Sequence, residues 1–76
     1  MKADIEDFKT GWFGVSLQLR DSDIDELMIY LNRLKADGSY HFHLFKNEES
    51  TKCPGIADFE ISFQSEDEAD NLAIGD

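Results

Sequence analysis

His41 and His43, the only two histidines of this 76-residue chain, are separated by a single residue and are its densest concentration of chemistry. They lie in residues 39–46, SYHFHLFK, where Tyr40, Phe42 and Leu44 alternate with His41, His43 and Phe45. A period of two over eight residues, rich in aromatics and preceded by a glycine, is the pattern of a β-strand with both faces occupied. One face goes to a core, and the other displays two imidazoles and the Phe45 ring. Asp58 and Glu60 alternate with Phe59 and Ile61 in a later stretch, and hairpin pairing sets His43 across from Glu60 and Phe45 across from Asp58.

Imidazole nitrogen and carboxylate oxygen are zinc ligands at bond lengths of about 2.0–2.2 Å. Side chains two apart on a strand, however, stand roughly 7 Å from each other, the outer reach for sharing one ion. The expectation is therefore imidazoles paired with carboxylates across the strands and no bound metal or cofactor. His41 and His43 are the candidate ligands of the alternative, a small metal-binding domain. Catalysis finds less support, because a nucleophile needs a base and a group that orients the base. Cys53 has no assignable base, and Ser62 with His41 is only a same-face pair. No glycine-rich phosphate loop and no nucleophile elbow is present. The chain reads as a non-enzyme.

Residues 12–20 alternate, with Phe13, Val15, Leu17 and Leu19 on one side and Trp12, Gly14, Ser16, Gln18 and Arg20 on the other. That is a half-buried strand, and Gly14 marks a bulge or a close approach over the backbone. Asp21-Ser-Asp opens a helix, with Ser22 or Asp23 as its cap and Glu26 completing an approximate capping box. Ile24, Leu27, Met28, Leu31 and Leu34 recur at helical spacing as one apolar stripe. Arg33 and Lys35 suit the negative end of the helix, and Gly38 suits a left-handed residue just past it. Residues 47–55 form a polar loop holding Glu48, Glu49, Lys52, Cys53 and Pro54, and residues 56–64 alternate again as an amphipathic strand. An acidic turn, SEDEADN, leads to Leu72-Ala-Ile74 as a short last strand. Residues 1–11 are a frayed lead or an edge strand.

The order predicts a single α+β domain over residues 1–76. It consists of a four-stranded, mostly antiparallel sheet, five-stranded if the N-terminus joins, with one helix packed on one face. A single helix shields one side only. If it covers Val15, Leu17, Leu19, Phe42, Leu44, Phe59, Ile61 and Phe63, the open face presents Trp12, Arg20, His41, His43, Phe45, Asp58 and Glu60 as the candidate partner-binding surface.

Seventeen Asp and Glu against seven Lys and Arg give a formal net charge of −10. Nucleic acid and anionic membranes are repelled, and a basic protein is the favoured partner. A lone cysteine, an opening without an apolar signal region and the absence of a run of about 18 apolar residues predict a cytoplasmic protein. The rival to a protein partner is a structural homodimer in which two open faces stack and bury Trp12 and Phe45 at a two-fold axis.

WFGVSLQL, the helix beginning SDIDEL, HFHLF and GIADFEI together resemble the small, acidic, single-helix immunity-type domains found beside bacterial polymorphic toxins. The resemblance spans roughly residues 12–74. It implies a protein that binds and neutralises a cognate toxin, often a basic nuclease.

Overall fold

The computed structural model describes residues 1–51 and 53–76; Lys52, assigned above to the polar loop, lies outside the described residues. The elements run β1 (Lys2–Asp7), β2 (Phe13–Gln18), α1 (Asp21–Ala36), β3 (His41–Phe45) and β4 (Asp58–Ser62). The fold class is α+β, but the expected single sheet is two. β1 pairs antiparallel with β2, and β3 pairs antiparallel with β4. Residues 1–11 thus supply a strand for β2 alone, from Lys2↔Gln18 to Asp7↔Phe13. β2 takes this sequence neighbour rather than the β3 reached across α1. A five-residue loop closes the first pairing locally, with less closure entropy than a crossover through the helix.

That loop is stitched by its own atoms. The Lys9 amide donates to Asp7 Oδ1 at 2.9 Å, and the Phe8 amide donates to the Trp12 carbonyl at 3.1 Å. Lys9 and Gly11 take left-handed backbone, with φ of 61° and 91°. Glycine adopts that conformation without a Cβ penalty, whereas Lys9 does so at a cost of about 1–2 kcal/mol.

The helix starts two or three residues earlier than the Ser22 or Asp23 cap implies. Arg20 is the N-cap, in extended conformation. Its side chain has no acceptor to offer, so the box is one-sided: the Arg20 amide donates to Asp23 Oδ2 at 3.0 Å. At the other end Gly38 is not left-handed. Asp37, extended at φ −139°, closes α1 by donating its amide to the Arg33 carbonyl. Gly38 serves packing instead, since a Cβ there would stand 3.3 Å from Phe63 Cδ1.

The core lies between α1 and the β3–β4 hairpin. Leu34 and Phe42 are its buried apolar residues, with 8% and 6% of their surface exposed, and Leu27, Tyr30, Leu44 and Ile61 are half-buried. The inward line of the helix is therefore Leu27, Tyr30 and Leu34, spaced i, i+3, i+7. The Tyr30 ring stacks on Phe42 at 5.3 Å, and Tyr40 flanks Phe42 at 6.3 Å. Ile24, Met28 and Leu31, expected in the apolar stripe, are exposed, Leu31 at 42%. Leu72 and Ile74 form no strand and are exposed, and the acidic turn before them is held by Gln64 Nε2 donating to the Ala69 carbonyl at 2.9 Å.

The chain exposes 7143 Å². A free-standing folded monomer of 8.7 kDa exposes about 4700 Å². Its radius of gyration, 14.3 Å, likewise exceeds the roughly 11 Å usual for 76 residues. The excess surface is apolar in large part. Ile5, Phe8, Phe13, Val15 and Leu17 on the first hairpin and Ile24, Met28 and Ile29 on the helix are all exposed. Among the described residues no helix is long and apolar enough to cross a membrane.

Candidate functional site

The β3–β4 hairpin positions the residues with chemistry. Its register is His41↔Ser62, His43↔Glu60 and Phe45↔Asp58, the pairing that the alternation predicts, and the Lys46 amide extends it by donating to the Ala57 carbonyl at 3.0 Å. Phe42 on the helix side is buried, so the period of two turns His41, His43 and Phe45 outward, with Asp58, Glu60 and Ser62 beside them.

The side chains meet along diagonals rather than straight across. His43 Nδ1 lies 2.9 Å from Asp58 Oδ1 and 3.2 Å from Oδ2, although Asp58 is paired with Phe45. His41 Nε2 likewise reaches towards Glu60 Oε1, at 3.9 Å, although its partner across the ladder is Ser62. Both contacts run one pair along in the same direction, the shift that right-handed strand twist produces between facing side chains. An ionised carboxylate only accepts, so His43 Nδ1 is the protonated nitrogen and donates to Asp58. His43 Nε2 is then the free end of the ring, 4.0 Å from the same Glu60 Oε1.

The two imidazoles are nearer than strand spacing implies. Their centroids are 5.2 Å apart and the rings meet edge to face at 83°. One donor atom from each of His41, His43 and Glu60 lies within 4.8 Å of the other two.

Comparison with protein-family models, curated proteins and solved structures finds no match for this chain.

The remaining predicted site residues do not share one sheet face. Phe45 stays on the histidine face and is 77% exposed, while Trp12, 76% exposed, precedes β2 in the first hairpin and Arg20 caps the helix. The structure also brings forward Tyr30 and Tyr40. With Leu27, Phe42 and Phe45 they line an open groove of about 470 Å³ between α1 and β3. Asp23 and Met1 also line it, and the amino group of Met1 approaches Asp23 Oδ2 at 2.9 Å. That amino group, then the Arg20 amide, holds the Asp23 carboxyl below the ordinary aspartate range. Tyr30 could have been found from sequence, because it falls on the spacing of Leu27 and Leu34. The diagonal reach of His43 to Asp58 had no signal in the sequence.

Cys53 is free and exposed, and Ser62 stands across the ladder from His41. The arrangement offers hydrogen bonding, ion pairing and metal ligation at the histidines, and apolar contact at Phe45 and the groove.

Proposed function

We propose that the chain is a non-catalytic, acidic protein-binding domain that completes its apolar packing against a basic protein partner, as an immunity protein does when it neutralises a toxin. The observation that carries the reading is the roughly 2400 Å² by which the exposed surface exceeds that of a free-standing monomer of this mass. An interface of standard size removes about 800 Å² from each partner, and long-lived assemblies remove more. The chain therefore exposes enough surface for a stable interface without refolding.

The charge of −10 favours a cationic partner and opposes a second copy of the same chain. The aromatic anchors available to such a partner are Trp12 and Phe45, the residue type that dominates many interfaces, with His41, His43, Asp58 and Glu60 as polar neighbours of Phe45.

Coexpression with the product of the adjacent reading frame, followed by sedimentation and titration at two salt concentrations, tests the proposal. A 1:1 complex that weakens with salt, and that loses affinity in Trp12→Ala or Phe45→Ala without loss of thermal stability, supports it. A homodimer that strengthens with salt and is broken by the same substitutions would replace it with the two-fold assembly.

A further inference from the structure

The geometry points to a metal site on the outer face of the second hairpin: we propose that His41, His43 and Glu60 bind one zinc-class divalent ion, with Asp58 orienting His43. The site shares His41, His43, Asp58 and Glu60 with the proposed partner surface but does not rest on that reading, because it is drawn from donor geometry and not from exposed apolar surface.

Three observations converge. Glu60 Oε1 lies 3.9 Å from His41 Nε2 and 4.0 Å from His43 Nε2. Both distances are too long for hydrogen bonds. Three donors around a tetrahedral ion with bonds of about 2.0–2.2 Å stand roughly 3.3–3.6 Å from one another. All three edges of the triangle are within 4.8 Å and all three residues are exposed, so rotation about side-chain bonds can bring the donors to that size with the register of β3 and β4 kept.

The second observation is the bond from His43 to Asp58, 2.9 Å at Nδ1. It fixes the proton on Nδ1 and leaves the Nε2 lone pair for a ligand. A carboxylate behind a metal-bound imidazole is the usual way in which a metal site holds its histidine tautomer and ring orientation. Simple ion pairing does not require this arrangement, since one carboxylate already satisfies His43 and the second stands out of hydrogen-bonding range of either ring.

The third is ligand type. Two imidazoles and one carboxylate are the donor set of three-ligand zinc sites, which keep a fourth position open for water. Hard cations such as magnesium prefer all-oxygen shells and an octahedron, which two imidazoles do not supply. The acidic turn at residues 65–71 offers no imidazole or thiolate and has no such bias.

The experiment is isothermal titration of the full 76-residue chain with zinc chloride, with magnesium chloride as the comparison, alongside histidine ring resonances by NMR. The expected result is one zinc per chain, both rings shifting together, and no competition from equimolar magnesium. His41→Ala, His43→Ala and Glu60→Gln should each weaken zinc binding by at least about tenfold, and Asp58→Asn by about 10- to 100-fold. Zinc should also raise the melting temperature of the parent and not that of the His41→Ala/His43→Ala double variant. Glu60→Gln and Asp58→Asn preserve side-chain shape, so they decide the question if a histidine variant folds poorly. Zinc binding of unchanged strength in the double variant, equal competition by magnesium, or no binding up to millimolar zinc would overturn the proposal.

Discussion

Replacing Phe42 with alanine should remove most of what holds α1 to the second hairpin. Phe42 is 6% exposed and stacks with Tyr30 at 5.3 Å and Tyr40 at 6.3 Å. Truncating a buried ring takes away on the order of 150 Å² of apolar burial, which at about 25 cal/mol per Å² amounts to ~4 kcal/mol. Residual burial in the denatured chain lowers that figure, whereas the lost ring stacking, about 0.5–1.5 kcal/mol, raises it. The net expectation is about 3–4 kcal/mol, at the low end of the range for such truncations because the half-exposed neighbours can close over the gap. A domain of this length has about 4–11 kcal/mol of total stability. With so few buried side chains it belongs in the lower part of that range, so Phe42→Ala should be largely unfolded at 37 °C. Urea melts followed by far-UV circular dichroism are the appropriate assay, because Trp12 is 76% exposed and its fluorescence reports poorly on the core. Phe45→Ala, on the same strand with the ring 77% exposed, is the control and should lie within about 0.5 kcal/mol of the parent. A Phe42→Ala chain as stable as the parent, or a Phe45→Ala chain less stable than Phe42→Ala, would refute the assignment of the two faces of β3.

Three further outcomes follow from particular contacts. Leu34→Ala should cost about 2–4 kcal/mol in the same melts, whereas Leu31→Ala, at a position 42% exposed, should cost about 1 kcal/mol or less; the opposite order would mean the helix is rotated from the line Leu27, Tyr30 and Leu34. A Cβ at Gly14 would stand 2.6 Å from Phe8 Cζ, so Gly14→Ala should destabilise the first hairpin by about 1 kcal/mol, and a double-mutant cycle should recover that loss in Phe8→Ala, unless the strain lies in the backbone. The Ser39 hydroxyl, at 2.6 Å, and then the Ser39 amide, at 3.0 Å, hold the Asp37 carboxyl below the ordinary aspartate range. Because the folded value is the lower one, the stabilisation is complete above the unfolded value of about 3.9 and is lost as pH falls through the folded value. Carboxyl titration by NMR should show that depression, Ser39→Ala should relieve it, and an Asp37 that titrates normally in the parent would contradict the contact.

Alternation and helical spacing were sufficient to place β2, α1, β3 and β4, since each is a local pattern that survives any tertiary arrangement; the weakly patterned β1 reads equally as a frayed lead or an edge strand, and the strand expected at residues 72–74 does not form. The parity of the hairpin register was legible for the same reason, since a one-residue slip would have put the apolar sets of the two strands on opposite faces; the particular pair His43↔Glu60 came from the hairpin reading. Sheet membership was not legible. The alternation of β2 is the same whether its neighbour is β1 or β3, and the choice turns on the short loop that closes β1 on β2 in competition with the longer crossover through α1. That is why Trp12 and His41, which share one predicted face, sit in different hairpins. The stripe of α1 was read from residue type, which named Leu31 and omitted Tyr30. Only the docked helix shows that the tyrosine ring is the one stacked on Phe42. The residue types of the histidine site were evident in the sequence, but the meeting of its donors was not. Strand spacing alone keeps His41 and His43 apart, and it is the twist of β3 on β4, the edge-to-face rings and the diagonal bond to Asp58 that draw two imidazoles and Glu60 within reach of a single ion.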